Sequence, residues 1–345
     1  MTRLDSLGMY EAALALPEQV ANAAISVAGG IDGLPAREQV AHVLALGMGG
    51  SGIAADVMSV VAGPFLPVPI LVSKDYELPG FVGERTLVFA ISFSGNSEET
   101  VEAATQAAAL GARVVAVCEG GELARLAEQW GGAVLRVPPG IPMPRAGIGA
   151  LAIPPLLALE QMGLFPGAAA WISAAVDQLA RRRDQLSAAN NAADRLARVI
   201  GRTIPLFYGA GPLGAVAAQR WKADVNENAK APAFANRMPE LCHNEVAGWG
   251  QHGDVTRQVF TIVNVRHDHE HPHLAPRFAL VDSLVEEVVA SIAEVRAEGE
   301  GPLAQLLDLM LYGDLVSLAM ADHEGVDPGP IAALEFIKDA LAGSP

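Results

Sequence analysis

Short apolar runs alternate with amphipathic stretches along the first 140 residues. The apolar runs predict strands at 42–46, 68–72, 86–91, 113–117 and 133–137. Helical patterns fall at 54–61, 98–110 and 123–130, after a leading helix over residues 10–29. Strand–helix–strand alternation at this spacing predicts a mainly parallel sheet flanked by helices.

The same rhythm returns after residue 200, beyond a Pro-rich segment at 138–144 and a helical region over 150–200. The second set of predicted strands lies at 204–208, 259–265 and 291–296, and the second set of helices at 213–228, 278–289, 303–321 and 331–341. A chain of 345 residues has room for two cores. We therefore predict an α/β protein with an N-terminal domain over 1–150, a helical linker over 151–200 and a C-terminal domain over 201–345.

Two glycine clusters, at 47–52 and 209–214, each follow a predicted strand and open a helix. The echo is consistent with two copies of one domain type. Both clusters also fit G-x-G-x-x-G, and Asp75 stands where a nicotinamide site would place its acidic residue. Three interpretations stay open: a nicotinamide site, a turn facing some other ligand, and tight packing of strand against helix.

Charge and composition exclude some partners. A net charge of -16 argues against nucleic acid, because phosphate backbones need a basic surface. One locally positive pocket can still hold a small anion. The charge-free apolar stretch at 146–159 is short for a membrane span, so we expect no membrane contact. The two cysteines cannot supply a disulfide framework and suit the cytoplasm.

The segment 92–100 concentrates hydroxyl groups between a predicted strand and a predicted helix. Ser92, Ser94, Ser97 and Thr100 can converge with free backbone N–H groups on one dianion at the helix N-terminus. The alternative is a simple helix cap formed by Ser94 or Ser97. A cap needs only one hydroxyl, so we predict phosphate binding here.

Glu227 and His243 lie sixteen residues apart, downstream of the second glycine cluster. A carboxylate can move a proton between adjacent sugar carbons, and an imidazole can pass a proton to a ring oxygen. The alternative is a solvated ion-pair loop, and local sequence does not decide between the two.

Five motifs in order carry a resemblance. They are Gly47-Met48-Gly49-Gly50-Ser51, the segment 92–100, Pro144-Arg145, Asn226-Glu227-Asn228-Ala229-Lys230 and His243-Asn244-Glu245. Over residues 44–341 the chain resembles the bifunctional phosphoglucose/phosphomannose isomerase family, which is built from two flavodoxin-like sugar isomerase (SIS) domains. The resemblance implies a homodimeric aldose–ketose isomerase of glycolysis and gluconeogenesis that uses neither metal nor cofactor.

The resemblance also implies roles for individual residues. Glu227 would be the base that shuttles a proton between C1 and C2 through a cis-enediol, and Arg145 would stabilise the enediolate. His243 would open the sugar ring from the neighbouring subunit, and Lys338 would lie near the substrate. The implied substrate and phosphate contacts are Gly49, Gly50, Ser51, Ser92, Ser94, Ser97 and Thr100.

The chain departs from the family pattern at Gly329, where family members often carry Thr after Asp-Pro. That Thr is linked to mannose 6-phosphate, so glucose 6-phosphate and fructose 6-phosphate are the better supported substrates. A phosphosugar-sensing protein without catalysis is the alternative function. It would need the serine loop but neither Glu227 nor His243.

Three further features have alternative interpretations. The histidines of segment 266–273 could form a zinc site, as in a zinc-dependent mannose phosphate isomerase, or a polar turn, which we favour. Cys242 could be a nucleophile, but a buried thiol beside a functional histidine is favoured. Arg181, Arg182 and Arg183 are predicted to form a solvated helix face.

Overall fold

The computed structural model describes residues 3–342, and its N-terminal part contains five parallel strands. These are β1 (His42–Leu46), β2 (Ile70–Ser73), β3 (Thr86–Ile91), β4 (Arg113–Cys118) and β5 (Val134–Arg136). They pair in the order β2-β1-β3-β4-β5. All six residues of β3 are buried, as expected for a central strand covered on both faces. All five strands were predicted, with differences only at their ends.

Five helices accompany this sheet. They are α1 (Met9–Leu14), α2 (Leu16–Ser26), α3 (Gly49–Ala62), α4 (Glu98–Ala109) and α5 (Gly121–Gln129). The single leading helix predicted over residues 10–29 is wrong, because the chain forms two helices there. Pro17 stands in the first turn of α2, where its missing N–H costs nothing, but it cannot continue α1.

The second sheet has four parallel strands. They are β6 (Ile204–Ala210), β7 (Phe234–Met238), β8 (Phe260–Arg266) and β9 (Ser291–Arg296), in the order β7-β6-β8-β9. Strand β7 was not predicted. It is an edge strand in which only Met238 is buried, so its sequence lacks the apolar run that marks the other strands.

Eight helices follow the first sheet along the chain. They are α6 (Ile148–Gln161), α7 (Ala168–Ser187), α8 (Ala192–Ile200), α9 (Gly211–Asp224), α10 (Gly253–Val259), α11 (Leu274–Val285), α12 (Gly301–Glu324) and α13 (Ala332–Ala342). Among the described residues, α12 alone is long and apolar enough to cross a membrane. Within its most apolar stretch of 18 residues, 94% is buried inside the protein, as is typical of a core helix in a folded domain.

The predicted solvated face at 181–183 is wrong for one of its three arginines. Arg182 is 8% exposed, and its Nε lies 3.2 Å from Oδ1 of Asp308 on α12. Arg182 also pairs with Glu298. The sequence pattern of α7 could not show this, because the buried carboxylate comes from a helix more than a hundred residues away.

Candidate functional site

The serine loop, residues 92–100, lies at the carboxyl end of β3. The order in which strands are added to the sheet reverses between β1 and β3, and open α/β sheets commonly bind ligands at such a point. Ser97 is the N-cap residue of α4, but its side chain accepts no hydrogen bond from the first turn of the helix. The simple capping interpretation is therefore wrong for Ser97. Its hydroxyl instead accepts a hydrogen bond from Ser92 Oγ at 3.0 Å.

Thr100 carries a hydroxyl that is left unpaired among the described residues. Its side chain is 2% exposed, and its Oγ1 has no hydrogen-bond partner. A buried hydroxyl left unpaired costs about 1–3 kcal/mol. The first N–H groups of α4 are free of side-chain caps in the same place. An anion at this N-terminus would supply acceptors to both.

Gly95 fixes the shape of the loop. It has a φ of +73°, and a Cβ there would lie 1.9 Å from the carbonyl oxygen of Gly120, so no other residue fits. The neighbouring Asn96 accepts a hydrogen bond from the backbone N–H of Glu122 at 3.0 Å. The loop is therefore held against the start of α5 before any ligand binds. Ser94 is used within the loop, where its Oγ accepts from the N–H of Asn96 at 3.2 Å.

The first glycine cluster joins the serine loop to Arg145. Ser51 Oγ accepts a hydrogen bond from the N–H of Phe93 at 3.1 Å, which ties the start of α3 to the loop. A Cβ on Gly50 would come within 3.1 Å of the backbone nitrogen of Arg145. Gly49 opens α3 with a φ of +52°. A Cβ on Gly52 would lie 2.8 Å from the carbonyl oxygen of Gly47, so this cluster also packs β1 tightly against α3.

The second glycine cluster serves packing. A Cβ on Gly209 would lie 1.9 Å from the carbonyl oxygen of Gly214, so strand β6 and helix α9 touch through their backbones. Asp75, the acidic residue considered for a nicotinamide site, is exposed and accepts a hydrogen bond from the N–H of Tyr76 at 2.7 Å.

Arg145 is the most enclosed charged group of the site, with 2% of it exposed. Its Nε donates to Asn228 Oδ1 at 2.7 Å, and its Nη2 donates to the carbonyl oxygens of Pro328 and Gly329 at 2.6 and 3.0 Å. Burial lowers the pKa of Arg145, while the charge of Glu227 opposes that shift. Nη1 is left to face Glu227 Oε2 at 3.5 Å.

Glu227 stands on a π-helical turn, Val225–Ala229, that continues α9. Such turns are rare and often occur at functional sites. The Glu227 side chain is 28% exposed, so it is open on one side. The resemblance implies one site for Arg145 and Glu227, and the fold brings the two side chains together.

Lys230 adjoins Arg145 and Glu227, although it was not among the predicted site residues. Its Nζ donates to the carbonyl oxygens of Glu227 and Pro328 at 2.5 and 3.0 Å. Burial lowers the pKa of Lys230, and the nearby charge of Arg145 lowers it further. Lys230 directly follows the π turn and has a φ of +55°, which brings its side chain back towards Glu227. The sequence carries no signal for this backbone conformation.

His243 and Lys338 lie elsewhere on this chain. His243 is exposed in a short turn after β7, and Lys338 is exposed on α13. Within residues 3–342 neither makes a hydrogen bond or ion pair with Arg145 or Glu227. One chain therefore unites two of the four residues proposed for catalysis.

Gly329 adjoins Arg145 through its carbonyl oxygen. A Cβ at this position would meet Leu7 Cγ at 2.7 Å. The chain position that departs from the family pattern is thus a wall of the site, and the space for a side chain there is taken by the N-terminal segment.

The first histidine of the run is buried and contacts the end of β6. His267 is 3% exposed, its Nε2 lies 2.9 Å from the carbonyl oxygen of Ala210, and its Nδ1 accepts from the N–H of His269. Among the residues that the structure describes, no three His, Cys, Asp or Glu side chains are placed to hold a metal. Burial raises the pKa of the Cys242 thiol, which disfavours the thiolate that a nucleophile needs.

The chain is similar to known SIS domains and to curated phosphosugar isomerases. Residues 189–341 match the bacterial phospho-glucose isomerase C-terminal SIS domain, and residues 38–130 match the SIS domain. The chain is 33% identical to a bifunctional phosphoglucose/phosphomannose isomerase from Caldicellulosiruptor bescii, over 97% of this chain and 99% of the relative. A relative of the same name from Aquifex aeolicus is 32% identical over 86% of this chain and 88% of its own length.

A solved structure shares the fold along the whole chain. It is a glucose-6-phosphate isomerase-like protein from Thermus thermophilus, with a TM-score of 0.61 and 21% identity. The match covers 98% of this chain and 99% of that one.

Proposed function

Because the chain belongs to the bifunctional phosphoglucose/phosphomannose isomerase family, we propose that it interconverts glucose 6-phosphate and fructose 6-phosphate through a cis-enediol, and that mannose 6-phosphate is a further substrate. One observation carries the proposal. A buried guanidinium faces a half-open carboxylate at 3.5 Å. The glycine cluster that packs against the backbone of Arg145 is hydrogen-bonded to the serine loop.

Each residue then has a chemical task. The serine loop and the start of α4 bind the phosphate, which places C1 and C2 of the open-chain sugar beside Glu227. Glu227 removes the proton from C2 of the aldose and returns it to C1. Nη1 of Arg145 stabilises the negative charge that develops on the enediolate oxygens. Its other nitrogens are already held by protein oxygens, so little reorganisation is needed.

A homodimer that shares His243 between subunits is part of the proposal. Two features support it. His243 is exposed and makes no hydrogen bond or ion pair with Glu227 within the described residues of its own chain, so its imidazole is free to meet a neighbouring chain. Helix α13 is also exposed from Ala332 to Leu341, with Leu334, Phe336 and Ile337 between 46% and 73% exposed. An isolated helix this short is marginal in water and needs a surface to pack against.

We also place the protein in the cytoplasm, with small phosphosugars as its ligands and no dependence on a metal or cofactor. Cys118 and Cys242 are both free thiols, which suits a reducing compartment.

A coupled assay on the purified protein tests the proposal. Fructose 6-phosphate is supplied, and glucose 6-phosphate formation is followed. Mannose 6-phosphate is supplied in a second assay, and fructose 6-phosphate formation is followed. Turnover with glucose and fructose phosphates supports the isomerase. Thermal stabilisation by all these sugars without turnover would instead support the phosphosugar sensor.

A further inference from the structure

Both the backbone and the side chain of Arg145 enter one closed ring of hydrogen bonds. Its Nε donates to Asn228 Oδ1 at 2.7 Å, and Asn228 Nδ2 donates to Ser317 Oγ at 2.9 Å. The Ser317 hydroxyl donates to the carbonyl oxygen of Asp314 at 2.7 Å. Arg220 Nη2 lies 2.9 Å from Asp314 Oδ1 and donates to the carbonyl oxygen of Arg145 at 2.5 Å, which closes the ring.

The ring is shut off from solvent. Its members Arg145, Asn228, Ser317, Asp314 and Arg220 are all at most 6% exposed. They come from four places in the chain: the turn before α6, the π turn, α12 and α9. Hydrogen bonds in such an environment are strong when satisfied and costly when broken, so the ring holds these four elements in one arrangement.

Arg220 is kept charged at the centre of this arrangement. Burial by itself lowers the pKa of Arg220, but the nearby charges of Asp224 and Asp314 outweigh it and raise the pKa overall. Arg220 Nε lies 2.7 Å from Asp224 Oδ2. Asp224 is the last residue of α9, directly before the turn that carries Glu227.

We propose that this ring is a positioning device, and that Ser317, Asn228 and Arg220 set the geometry between Arg145 and Glu227. The proposal rests on the function given above. Asn228 follows Glu227 in the chain and its Oδ1 accepts from Arg145, so this bond ties the turn that carries Glu227 to Arg145. Its second bond, to Ser317, keeps the amide from turning. The ring bonds of Asn228, Ser317 and Arg220 all go to protein groups, so their proposed effect on the reaction runs through Arg145 and Glu227.

The test is Ser317→Ala, which removes the hydroxyl between Asn228 and Asp314 without changing charge. We expect kcat to fall about tenfold while KM for glucose 6-phosphate and fructose 6-phosphate stays near the wild-type value, because small misplacements of catalytic groups slow chemistry strongly. Binding of a five-carbon aldonate phosphate, whose carboxylate resembles the enediolate, should weaken by a similar factor.

Trp221→Phe is the matched control. Trp221 Nε1 donates to the carbonyl oxygen of Leu309 at 2.8 Å, so this variant also breaks a buried bond between α9 and α12, but outside the ring. We expect it to lower the melting temperature at least as much as Ser317→Ala and to keep the wild-type kcat.

The outcomes separate the two proposals. An active wild type with an unimpaired Ser317→Ala variant would overturn the positioning role alone. Equal losses of kcat in Ser317→Ala and Trp221→Phe would also overturn it, because they would indicate a general loss of structure. A wild-type protein that isomerises no hexose phosphate would overturn the proposed function, and the positioning role with it.

Discussion

Arg145 Nη1 and Glu227 Oε2 face each other at 3.5 Å, although the two residues are 82 positions apart in the chain. Arg145 is buried, whereas the carboxylate of Glu227 is open on one side. Arg145 is therefore the fixed member of the pair, and Glu227 is the accessible one. An enediolate needs such an arrangement, with a fixed electrophile for its oxygens and an accessible base for its carbon-bound proton.

Replacing Glu227 with Gln should remove the base and leave the phosphate site intact. We expect kcat to fall by a factor of roughly 10² or more, with KM little changed, because general base catalysis contributes about 10²–10⁴-fold. Steady-state kinetics with fructose 6-phosphate measures both parameters. Glu286→Gln, an exposed glutamate after α11, is the control for losing one carboxylate. Near-normal turnover in the Glu227 variant would contradict the assignment of the base.

Replacing Thr100 with Val should separate stability from ligand binding. The Thr100 hydroxyl is buried without a partner, so removing it should raise the free energy of unfolding of the ligand-free protein by about 1 kcal/mol. The same change should raise KM for every phosphosugar about tenfold, because a hydrogen bond to a charged acceptor is lost. Chemical unfolding and steady-state kinetics measure the two effects.

Thr105→Val is the matched control for this experiment. Thr105 lies on the same helix, is exposed, and donates to the carbonyl oxygen of Val101 at 2.7 Å. We expect no change in KM there. A Thr100 variant that is less stable and binds phosphosugars normally would show that this hydroxyl has a structural partner and no role in binding.

The shared site can be tested by mixing two inactive variants. Glu227→Gln and His243→Ala should each have little activity as homodimers. If His243 acts across a two-fold interface, a mixed dimer contains one site with both original residues and one site with both substitutions. Random reassociation of equal amounts should then restore about a quarter of wild-type activity.

Two observations would contradict the shared site. The protein could elute as a monomer at the concentration of the assay, or the mixture could stay inactive although exchange of subunits is demonstrated with tagged chains. A monomer with full activity would show that no residue is shared between subunits.

The strands of the first sheet could be predicted because each coincides with a short apolar run, and β3, which is buried on both faces, is the clearest case. Strand β7 could not, since four of its five residues keep some exposure and its pairing with β6 is a tertiary event. The same limit applies to the site. Motifs named Arg145 and Glu227, but no local pattern shows that Arg220 and Ser317 meet them from α9 and α12.

The buried carboxyl of Asp308, which contacts Arg182, should make the free energy of unfolding depend on pH. Burial raises the pKa of Asp308 to about 6, and Arg182 opposes this rise only in part. A carboxyl with a raised pKa in the folded state binds a proton that the unfolded chain releases, so its contribution to stability is present at low pH and is lost as pH rises from about 4 to about 6. A pKa that is higher by about 2 in the folded protein corresponds to roughly 3 kcal/mol of stability.

Asp308→Asn stays neutral at every pH and should escape this loss. We expect the free energy of unfolding of the variant, relative to wild type, to rise by roughly 3 kcal/mol between pH 4 and pH 7, whatever constant offset the substitution brings. Urea unfolding at several pH values measures the difference. Asp177→Asn, an exposed aspartate on the same helix as Arg182, controls for the loss of one negative charge. A difference that is flat or falls with pH would show that Asp308 is held ionised by Arg182.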